Sequence, residues 1–478
     1  GSVEMPVGLK SFATRVQDLL KEYEVASDGM IDVQLLDPEP DSDAEDSAAF
    51  DGVHGQMLGN GDRIFLGLAV SHLEVTQSIP FLSPQREALM EYDITRAIYQ
   101  LSHPEKPVLG LLTALPMMGT PPNLRTGQQM SPEAGRKWHV MQALDEQFDL
   151  RAVAPSSTTI DPGIDILLIV HPKEMPAGVI YAVDQFILGG GKVIAFVDPL
   201  SFIEMIAQSR SQAAMMGMGG SVSSSLGPLF GAWGVTFDPG KVVVDLFYQT
   251  EWQEEGRTRR DPMILGMRGD AYSKDDPAVS ELDLTFLPYV GAFSGQPVDG
   301  LSKDVLLQTS SGGQLIDGRL AQMPVDSIVG TLAKEGKMLD LIVRLSGAFP
   351  TAFPDGLPAA PGKIVGGAED EATPAAAADG LKSGQSAVIL VADSDLLHDF
   401  FCIERLNFMG QQIIQPRSDN LALLLNLVEQ LSGDENLLGI RSRGTQRRPF
   451  IVIQEKKVGA EARYQQEIDA LETELAET

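Results

Sequence analysis

The chain has 478 residues, of which 43% are hydrophobic and 21% are charged, as in ordinary globular proteins. Its 66 acidic and 36 basic residues give a formal net charge of -30, which repels phosphate backbones and anionic lipid surfaces and argues against nucleic-acid binding. The single cysteine, Cys402, excludes an intramolecular disulfide framework and a multi-cysteine metal site.

The first hundred residues have the pattern of a small α/β unit. Apolar residues between Leu9 and Tyr23 recur at helical spacing, and IDVQLLD at residues 31–37 predicts a strand. A polar, acidic loop is expected from there to about Asn60. The apolar residues at 63–70 and 73–75 then predict a β-hairpin.

A second helix is expected to complete this unit. Ser83 and Pro84 suit the N-cap and the first position of a helix that runs through PQREALMEYDITRAIYQL. The order of helix, strand, hairpin and helix is similar to a thioredoxin-like unit without its first strand. Because the chain has no Cys-x-x-Cys pair, thiol–disulfide exchange is excluded. We assign residues 1–103 to this thioredoxin-like unit.

From Lys106 onward, short apolar runs alternate with helical patterns. This alternation predicts an α/β domain built on a doubly wound, mostly parallel sheet with helices on both faces. Short apolar runs bounded by turns are typical of parallel strands, which are buried on both faces. The predicted strands are VLGLLT at 108–113, DILLIV at 165–170, KVIAFVD at 192–198 and SAVILVADSD at 386–395.

The glycine run in QFILGGGKVIAFVDP, residues 185–199, allows two interpretations. A phosphate-binding loop needs the order strand, glycine loop, helix, so that backbone N–H groups face the phosphates. Here Pro176 precedes an apolar-periodic helix that ends near Gly189, and Lys192 begins a β-branched run. We therefore favour a helix stop before a strand over phosphate binding. Two further helices are predicted, in SPEAGRKWHVMQALDEQF and DNLALLLNLVEQL.

Two insertions interrupt this alternation within the main α/β domain, which we assign to residues 104–457. Residues 208–227 are rich in Gly, Ser and Met and predict a mobile loop, with a methionine-rich contact surface as the alternative. Residues 354–385 predict a disordered excursion. Apolar residues spaced by four, three and four in residues 458–478 predict a stalk-like C-terminal helix.

No set of reactive residues completes a catalytic or metal-binding motif. DPEPDSDAED at residues 37–46 lacks the glycine and glutamate that an EF-hand loop requires, so a solvated acidic loop is favoured over a calcium loop. The six histidines form no His-Glu-x-x-His pattern. Cys402 lies in an apolar stretch, which favours a buried, inert thiol over a nucleophile. We therefore predict no catalytic residue, no metal site and no cofactor.

Polar groups at the carboxyl ends of the predicted parallel strands indicate a candidate ligand-binding crevice. In open α/β sheets, ligands bind at this edge of the sheet. An aspartate at a strand end is also a common helix N-cap, so a functional and a structural role both stay open for each aspartate. The candidate ligand-binding residues are Met117, Met118, His171, Asp198, Asp393 and Asp395.

Five stretches of the chain carry a family resemblance: FLSPQREALMEYDITRAIYQLSHPEKPVLGLLT, DQFILGGGKVIAFVDP, LSGAFPTAFPDG, VILVADSDLL and ENLLGIRSRGTQRRPF. In this order they resemble the ABC-type transport-system auxiliary family, which includes the gliding-motility component GldG and is related to the GIFT domain of intraflagellar transport. The resemblance covers residues 31–450. Each motif alone is weak, and their order makes the match specific.

The resemblance implies a fold similar to glutamine-amidotransferase-like or flavodoxin-like sheets without their catalytic residues. It also implies a periplasmic, extracytoplasmic region that works beside an ABC permease and its ATPase. Flanking membrane helices would anchor it to the inner membrane, and the helix from residue 458 would lead toward them. The family supplies no assigned active site to carry over.

These observations predict a non-enzymatic auxiliary or binding component, which acts as a scaffold or recognises an extracytoplasmic ligand or partner. The alternative is a divergent hydrolase or carbohydrate-active enzyme that uses Asp198, Asp393 and Asp395 as acids or metal ligands. A third interpretation is a structural homo-oligomer that pairs through its terminal helix.

Overall fold

The chain divides into two compact units, one formed by Gly1–His103 with Glu435–Thr478 and one by Pro104–Asp434. The computed structural model describes residues 7–432 except 40–41, 58–62, 74, 83, 85–86, 88–89, 103–105, 120–134, 210–219, 255–256, 358–379 and 409–410. The predicted stalk helix, half of the predicted insertion at 208–227 and most of the one at 354–385 lie outside the described residues. Within the described part, no helix combines the length and the apolar character that a membrane span requires.

The first unit contains helices and short strand pairs. β3 and β4 form an antiparallel hairpin, so the predicted hairpin is confirmed with its bounds shifted along the chain. Phe12 and Val16 of the first helix pack with Leu82, Met90 and Ile94 in a separate apolar core. The elements are α1 Val7–Ala26, α2 Asp43–Phe50, β1 Gln56–Met57, β2 Arg63–Ile64, β3 Leu68–His72, β4 Val75–Ile79 and α3 Met90–Ser102.

Two predictions for this unit are wrong. Residues 31–37 form no strand in the structure, and none of the described strands pairs with them. Part of the expected acidic loop is instead the helix α2. The hydroxyl of Ser42 accepts a hydrogen bond from the backbone N–H of Glu45, and acidic residues in the first turn lie at the positive end of the helix dipole.

The second unit is built around one large mixed sheet. Its strands are β5 Val108–Thr113, β6 Asp149–Ala152, β7 Ile166–Val170, β8 Lys192–Phe196, β9 Thr236–Phe237, β14 Phe293–Ser294, β15 Leu301–Gln308, β17 Asp340–Pro350 and β18 Ser383–Val391. The order is β6-β5-β7-β8-β18-β17-β14-β9, with β15 also paired to β17. From β6 to β18 all neighbours are parallel, which confirms the predicted parallel α/β sheet. From β17 onward the pairing is antiparallel.

Smaller sheets and helices surround this sheet. Three further antiparallel groups, β11-β12-β13, β10-β16 and β19-β20, lie in the described residues. Their strands are β10 Lys241–Val244, β11 Gln249–Glu254, β12 Arg257–Met267, β13 Thr285–Pro288, β16 Gln314–Asp317, β19 Ile403–Phe408 and β20 Gln411–Pro416. The helices are α4 His139–Gln147, α5 Ala177–Leu188, α6 Phe202–Ser209, α7 Pro228–Trp233, α8 Val325–Val329, α9 Asp399–Cys402 and α10 Asn420–Ser432.

All four predicted parallel strands are present. Every residue of β7 is buried, as expected for an apolar, β-branched run in the middle of a parallel sheet. The helix predicted near residue 420 is confirmed as α10. The helix predicted from Ser131 begins later than expected: residues 135–138 are not helical, Trp138 is the N-cap and α4 starts at His139, while residues 131–134 lie outside the described part.

The glycine run is a helix stop, as the favoured interpretation predicts. Helix α5 follows Pro176 and ends at Leu188, and β8 begins four residues later at Lys192. The neighbouring strand β18 approaches the end of this helix so closely that a Cβ placed on Gly384 would lie 1.9 Å from the carbonyl oxygen of Leu188. The close approach explains why a residue without a side chain stands at this point of β18.

Candidate functional site

Strand register brings three of the predicted site residues together. In the parallel pair of β8 and β18, Phe196 lies opposite Val391. Asp198 and Asp393 each follow two residues later, at equivalent positions beyond the carboxyl ends of their strands, and Asp395 follows Asp393. One carboxylate oxygen from each of these residues lies within 4.8 Å of the others, and all three residues are fully buried. We call this group the aspartate cluster.

Asp198 connects the two strand-end loops. Its Oδ1 accepts a hydrogen bond from the backbone N–H of Leu200 at 2.8 Å. Its Oδ2 accepts hydrogen bonds from the hydroxyl of Ser394 at 2.7 Å and from the Ser394 N–H at 3.1 Å. The loop after β8 is thereby fixed to the loop after β18.

Asp395 lies at the amino-terminal end of helix α6. Its Oδ1 accepts hydrogen bonds from the Ser201 hydroxyl at 2.9 Å and from the Ile203 N–H at 3.3 Å, and its Oδ2 accepts one from the N–H of Phe202. Free N–H groups and the positive end of the helix dipole favour a carboxylate at this position. Asp395 therefore has a clear structural role in addition to any binding role.

Asp393 is the least satisfied member of the aspartate cluster. Its Oδ1 accepts hydrogen bonds from the N–H groups of Asp395 at 2.7 Å and Leu396 at 3.4 Å. Its Oδ2 is buried and has no hydrogen-bond partner. An unpartnered carboxylate oxygen in a protein interior is unfavourable unless a proton, a water molecule or an ion compensates it.

Burial raises the pKa of all three carboxyl groups. Burial raises the pKa of Asp198 and of Asp393 well above the ordinary value, and the neighbouring carboxylates of the cluster raise them further. Burial raises the pKa of Asp395 to about 7, although hydrogen bonds from Ser201, Phe202 and Ile203 oppose the shift. Without a bound cation, the cluster therefore holds protons at a pH at which an exposed aspartate is ionised.

His171 belongs to a neighbouring polar group on the next strand. It directly follows β7, has a positive φ of 51° and is fully buried. Its Nε2 lies 2.9 Å from Oε2 of Glu204, whose other oxygen accepts a hydrogen bond from Lys173. Burial lowers the pKa of His171, and the hydrogen bond with Glu204 only partly offsets this effect. Burial raises the pKa of Glu204, but its hydrogen bonds with Lys173 and His171 outweigh that effect and lower it overall.

The two predicted methionines are not part of these polar groups. Met117 is fully buried in the main apolar core, where its sulfur accepts a hydrogen bond from the Thr113 hydroxyl at 3.6 Å. Met118 is 44% exposed. The structure gives neither of them a contact with the aspartate cluster, so their assignment to a ligand crevice stays a prediction.

Sequence reasoning missed Ser201 and Glu204, although they carry a recognisable signal. Ser-x-x-Glu at residues 201–204 matches a helix capping box. The Ser201 hydroxyl does accept a hydrogen bond from the Glu204 N–H at 3.2 Å. The Glu204 side chain, however, binds His171 and Lys173, which lie in the loop after β7, and this contact is not deducible from local spacing.

A cavity of about 430 Å³ lies beside β6 and the loop that follows it. Arg151, Ser157, Asp161 and Ile164 are among its lining residues, and Arg151 forms ion pairs with Asp149 and Asp161. None of the predicted site residues lines this cavity. The guanidinium of Arg151 is neutralised by Asp149 and Asp161, so Arg151 offers no free positive charge for an anionic ligand.

Comparison with known protein families finds a match over most of the second unit. Residues 106–427 match the ABC transport auxiliary family, described as an ABC-type uncharacterized transport system. The chain belongs to this family. All six candidate site residues lie inside the matched region. Membership supports a transport-associated auxiliary role for the chain.

Two other comparisons concern the first unit and the chain as a whole. Residues 2–71 match a domain family of unknown function. No curated protein matches the chain. The family relationship therefore concerns mainly the second unit, and the GldG-like and GIFT-related assignments stay predictions.

The single cysteine of this auxiliary-family chain has the properties of a structural thiol. Cys402 is 1% exposed, and its sulfur donates a hydrogen bond to the carbonyl oxygen of Leu396 at 3.2 Å. Burial, reinforced by the negative charge of Asp399, raises the pKa of the thiol. Since the thiolate is the reactive form, Cys402 is poorly suited to nucleophilic catalysis.

The aspartate cluster predicts that stability falls as pH rises when divalent cations are removed by a chelator. The native carboxyl groups retain protons that the unfolded chain loses near its ordinary aspartate pKa, so this stabilisation is complete below about pH 4. It is lost as pH rises through about 7, the pKa of Asp395. Each extra native proton contributes about 1.4 kcal/mol per pH unit to the decline in the free energy of unfolding.

Asp393→Asn should reduce this decline and increase stability at pH 8, because it removes one buried group that must either hold a proton or carry a charge, while Oδ1 keeps its two hydrogen bonds. Urea unfolding between pH 5 and 8 measures the effect. Asp355→Asn changes an exposed aspartate and should behave like the unmodified protein. A free energy of unfolding that rises over this pH range, and that Asp393→Asn does not alter, would show that the buried carboxyl groups ionise freely.

Proposed function

We propose that the chain is a non-catalytic, extracytoplasmic component of an ABC transport system, which acts as a scaffold or recognises a ligand or partner protein. The match to the auxiliary family across residues 106–427 is the observation that carries this proposal. In this assignment the chain works beside a permease and an ATPase, and helices flanking it anchor it to the membrane.

The chemistry of the described site supports a role without catalysis. The aspartate cluster is fully enclosed, and most of its carboxylate oxygens accept hydrogen bonds that hold loops together. The only thiol is also enclosed. A catalytic group must contact the reacting atoms of a substrate. The three aspartates and Cys402 instead form hydrogen bonds mainly with the protein's own backbone.

The charge of the chain supports a protein partner over a nucleic acid. A formal net charge of -30 produces a long-range field that repels polyanions and attracts basic surfaces. Exposed apolar side chains such as Phe247, which is 75% exposed, offer contact area for such a partner. Recognition through surface complementarity is therefore compatible with the composition and with the described surface.

Association with transport subunits is the direct test. The chain, expressed with its native flanking sequences and an affinity tag, should co-purify with an ABC permease and an ATPase after mild detergent extraction. Adding it to the reconstituted pair should change the rate of ATP hydrolysis. A tagged, membrane-anchored α/β protein of another family is the control. Failure to recover either transport subunit, with no effect on ATP hydrolysis, would contradict the proposal.

Location can be tested with one introduced cysteine. Asp270, in the short 3-10 helix Gly269–Ala271, has a side chain that is 99% exposed, whereas Cys402 is buried. In cells with an intact cytoplasmic membrane, a membrane-impermeant maleimide should label Asp270→Cys and leave the parent chain unlabelled. The parent chain is the matched control, since it differs only at position 270. Labelling of Asp270→Cys only after lysis would place the domain in the cytoplasm.

A divergent hydrolase is the second candidate, and the convergence of three aspartates favours it. Asp395, with a pKa of about 7, has the acidity of a general acid or base. This candidate predicts turnover of an ester, amide or glycoside that is abolished by Asp393→Asn and retained by Asp355→Asn. Absence of turnover with all three substrate classes would leave the auxiliary role as the assignment.

A further inference from the structure

The spacing of the aspartate cluster fits the coordination sphere of one metal ion. Two oxygen atoms bound to the same ion are separated by at most twice the metal–oxygen distance, which is about 4.0–4.2 Å for Mg²⁺ and about 4.6–5.2 Å for Ca²⁺. The three carboxylate oxygens lie within 4.8 Å of one another. This spacing is compatible with either ion. Because Mg²⁺ gives up its bound waters reluctantly and the three aspartates are fully buried, Ca²⁺ is the better fit.

The hydrogen-bond inventory supplies a second, independent observation. Both oxygens of Asp198 and both oxygens of Asp395 accept hydrogen bonds from the protein. Oδ2 of Asp393 accepts none, although the residue is fully buried. The fold therefore leaves one carboxylate oxygen available inside an otherwise well-partnered group, which is the situation expected of a metal ligand.

The charge of the cluster also requires compensation. In the described part of the chain, no lysine or arginine forms an ion pair with any of the three aspartates. The nearby Lys173 is paired with Glu204, and the negative charge of Glu204 acts on Asp395 in addition. Three buried carboxylates of like charge are stable only if protons or a cation neutralise them.

We propose that Asp198, Asp393 and Asp395 bind one hard divalent cation, with Ca²⁺ as the best fit, which joins the loop after β8 to the loop after β18. An all-oxygen ligand set selects Ca²⁺, Mg²⁺ or Mn²⁺ over zinc or copper. Because the three side chains are inaccessible to solvent, the ion has a structural role at the edge of the sheet. This inference does not rest on the transport role, and either can fail while the other holds.

Calcium binding to the full chain tests the proposal. After treatment with a chelator and its removal, calorimetric titration at pH 7.5 should show saturable binding of Ca²⁺, with weaker binding of Mg²⁺. The melting temperature should rise with the Ca²⁺ concentration, because an ion that binds only the native state stabilises it. No saturable binding of either ion at millimolar concentration would overturn the proposal and would leave shared protons as the means of neutralisation.

Asp393→Asn should reverse the order of stability between chelator and Ca²⁺, which a buried carboxyl group that binds no ion would not do. In chelator the variant should be more stable than the unmodified protein, because it lacks one buried carboxyl group that must either hold a proton or carry a charge. In saturating Ca²⁺ the order should reverse, because the variant loses saturable binding. Asp261→Asn is the matched control: Asp261 is 7% exposed and its Oδ1 accepts a hydrogen bond from the Met263 N–H, but it lies outside the cluster.

Each remaining outcome has a defined meaning. If Asp393→Asn binds Ca²⁺ as tightly as the unmodified protein, the ion occupies another acidic surface and the proposal fails. If Asp261→Asn loses binding as completely as Asp393→Asn, the effect is not specific to the cluster and the proposal also fails. If circular dichroism shows that Asp393→Asn does not fold, Asp198→Asn replaces it in the same comparison.

Discussion

The parallel pairing of β8 with β18 is the interaction on which the rest of the second unit depends. It joins two apolar strands that are distant in the sequence, and it places the residues after both strands at one edge of the sheet. The hydrogen bond between Asp198 and Ser394 links positions 196 residues apart. The same pairing separates the parallel half of the sheet from the antiparallel half, since β17 on the other side of β18 runs in the opposite direction.

The parallel half was predictable because its signals are local. Each of its central strands is a short, continuous apolar run, and this pattern appears in the sequence without knowledge of any partner. The antiparallel half was missed because its strands mix polar and apolar residues. β17 contains Asp340 and Arg344, and β15 alternates half-buried and exposed positions from Leu301 to Val305. The opposite error at residues 31–37 has the same cause, since a β-like composition forms no strand without a partner.

The candidate site was predictable in its residues but not in its geometry. The rule that ligands bind at the carboxyl ends of parallel strands selected Asp198, Asp393 and Asp395, and the structure places all three in one cluster. Their separation depends on the register of β8 and β18, which no local pattern encodes. The same rule also selected Met117, which packs in the apolar core, because the rule identifies a position along the chain and not the direction of a side chain.

The order of strands in the large sheet has a consequence for biosynthesis. When the polypeptide folds in order from its amino-terminal end, β7 and β8 can pair early, but one side of β8 stays open until β18 is available. Until β18 pairs with β8, the sheet has an unpaired apolar edge, which can form hydrogen bonds with strands of other chains. The antiparallel strands that lie between β8 and β18 in the sequence must also take their places before β18 covers the open edge of β8. The aspartates therefore come together only when β18 joins the large sheet as its last strand in the sequence.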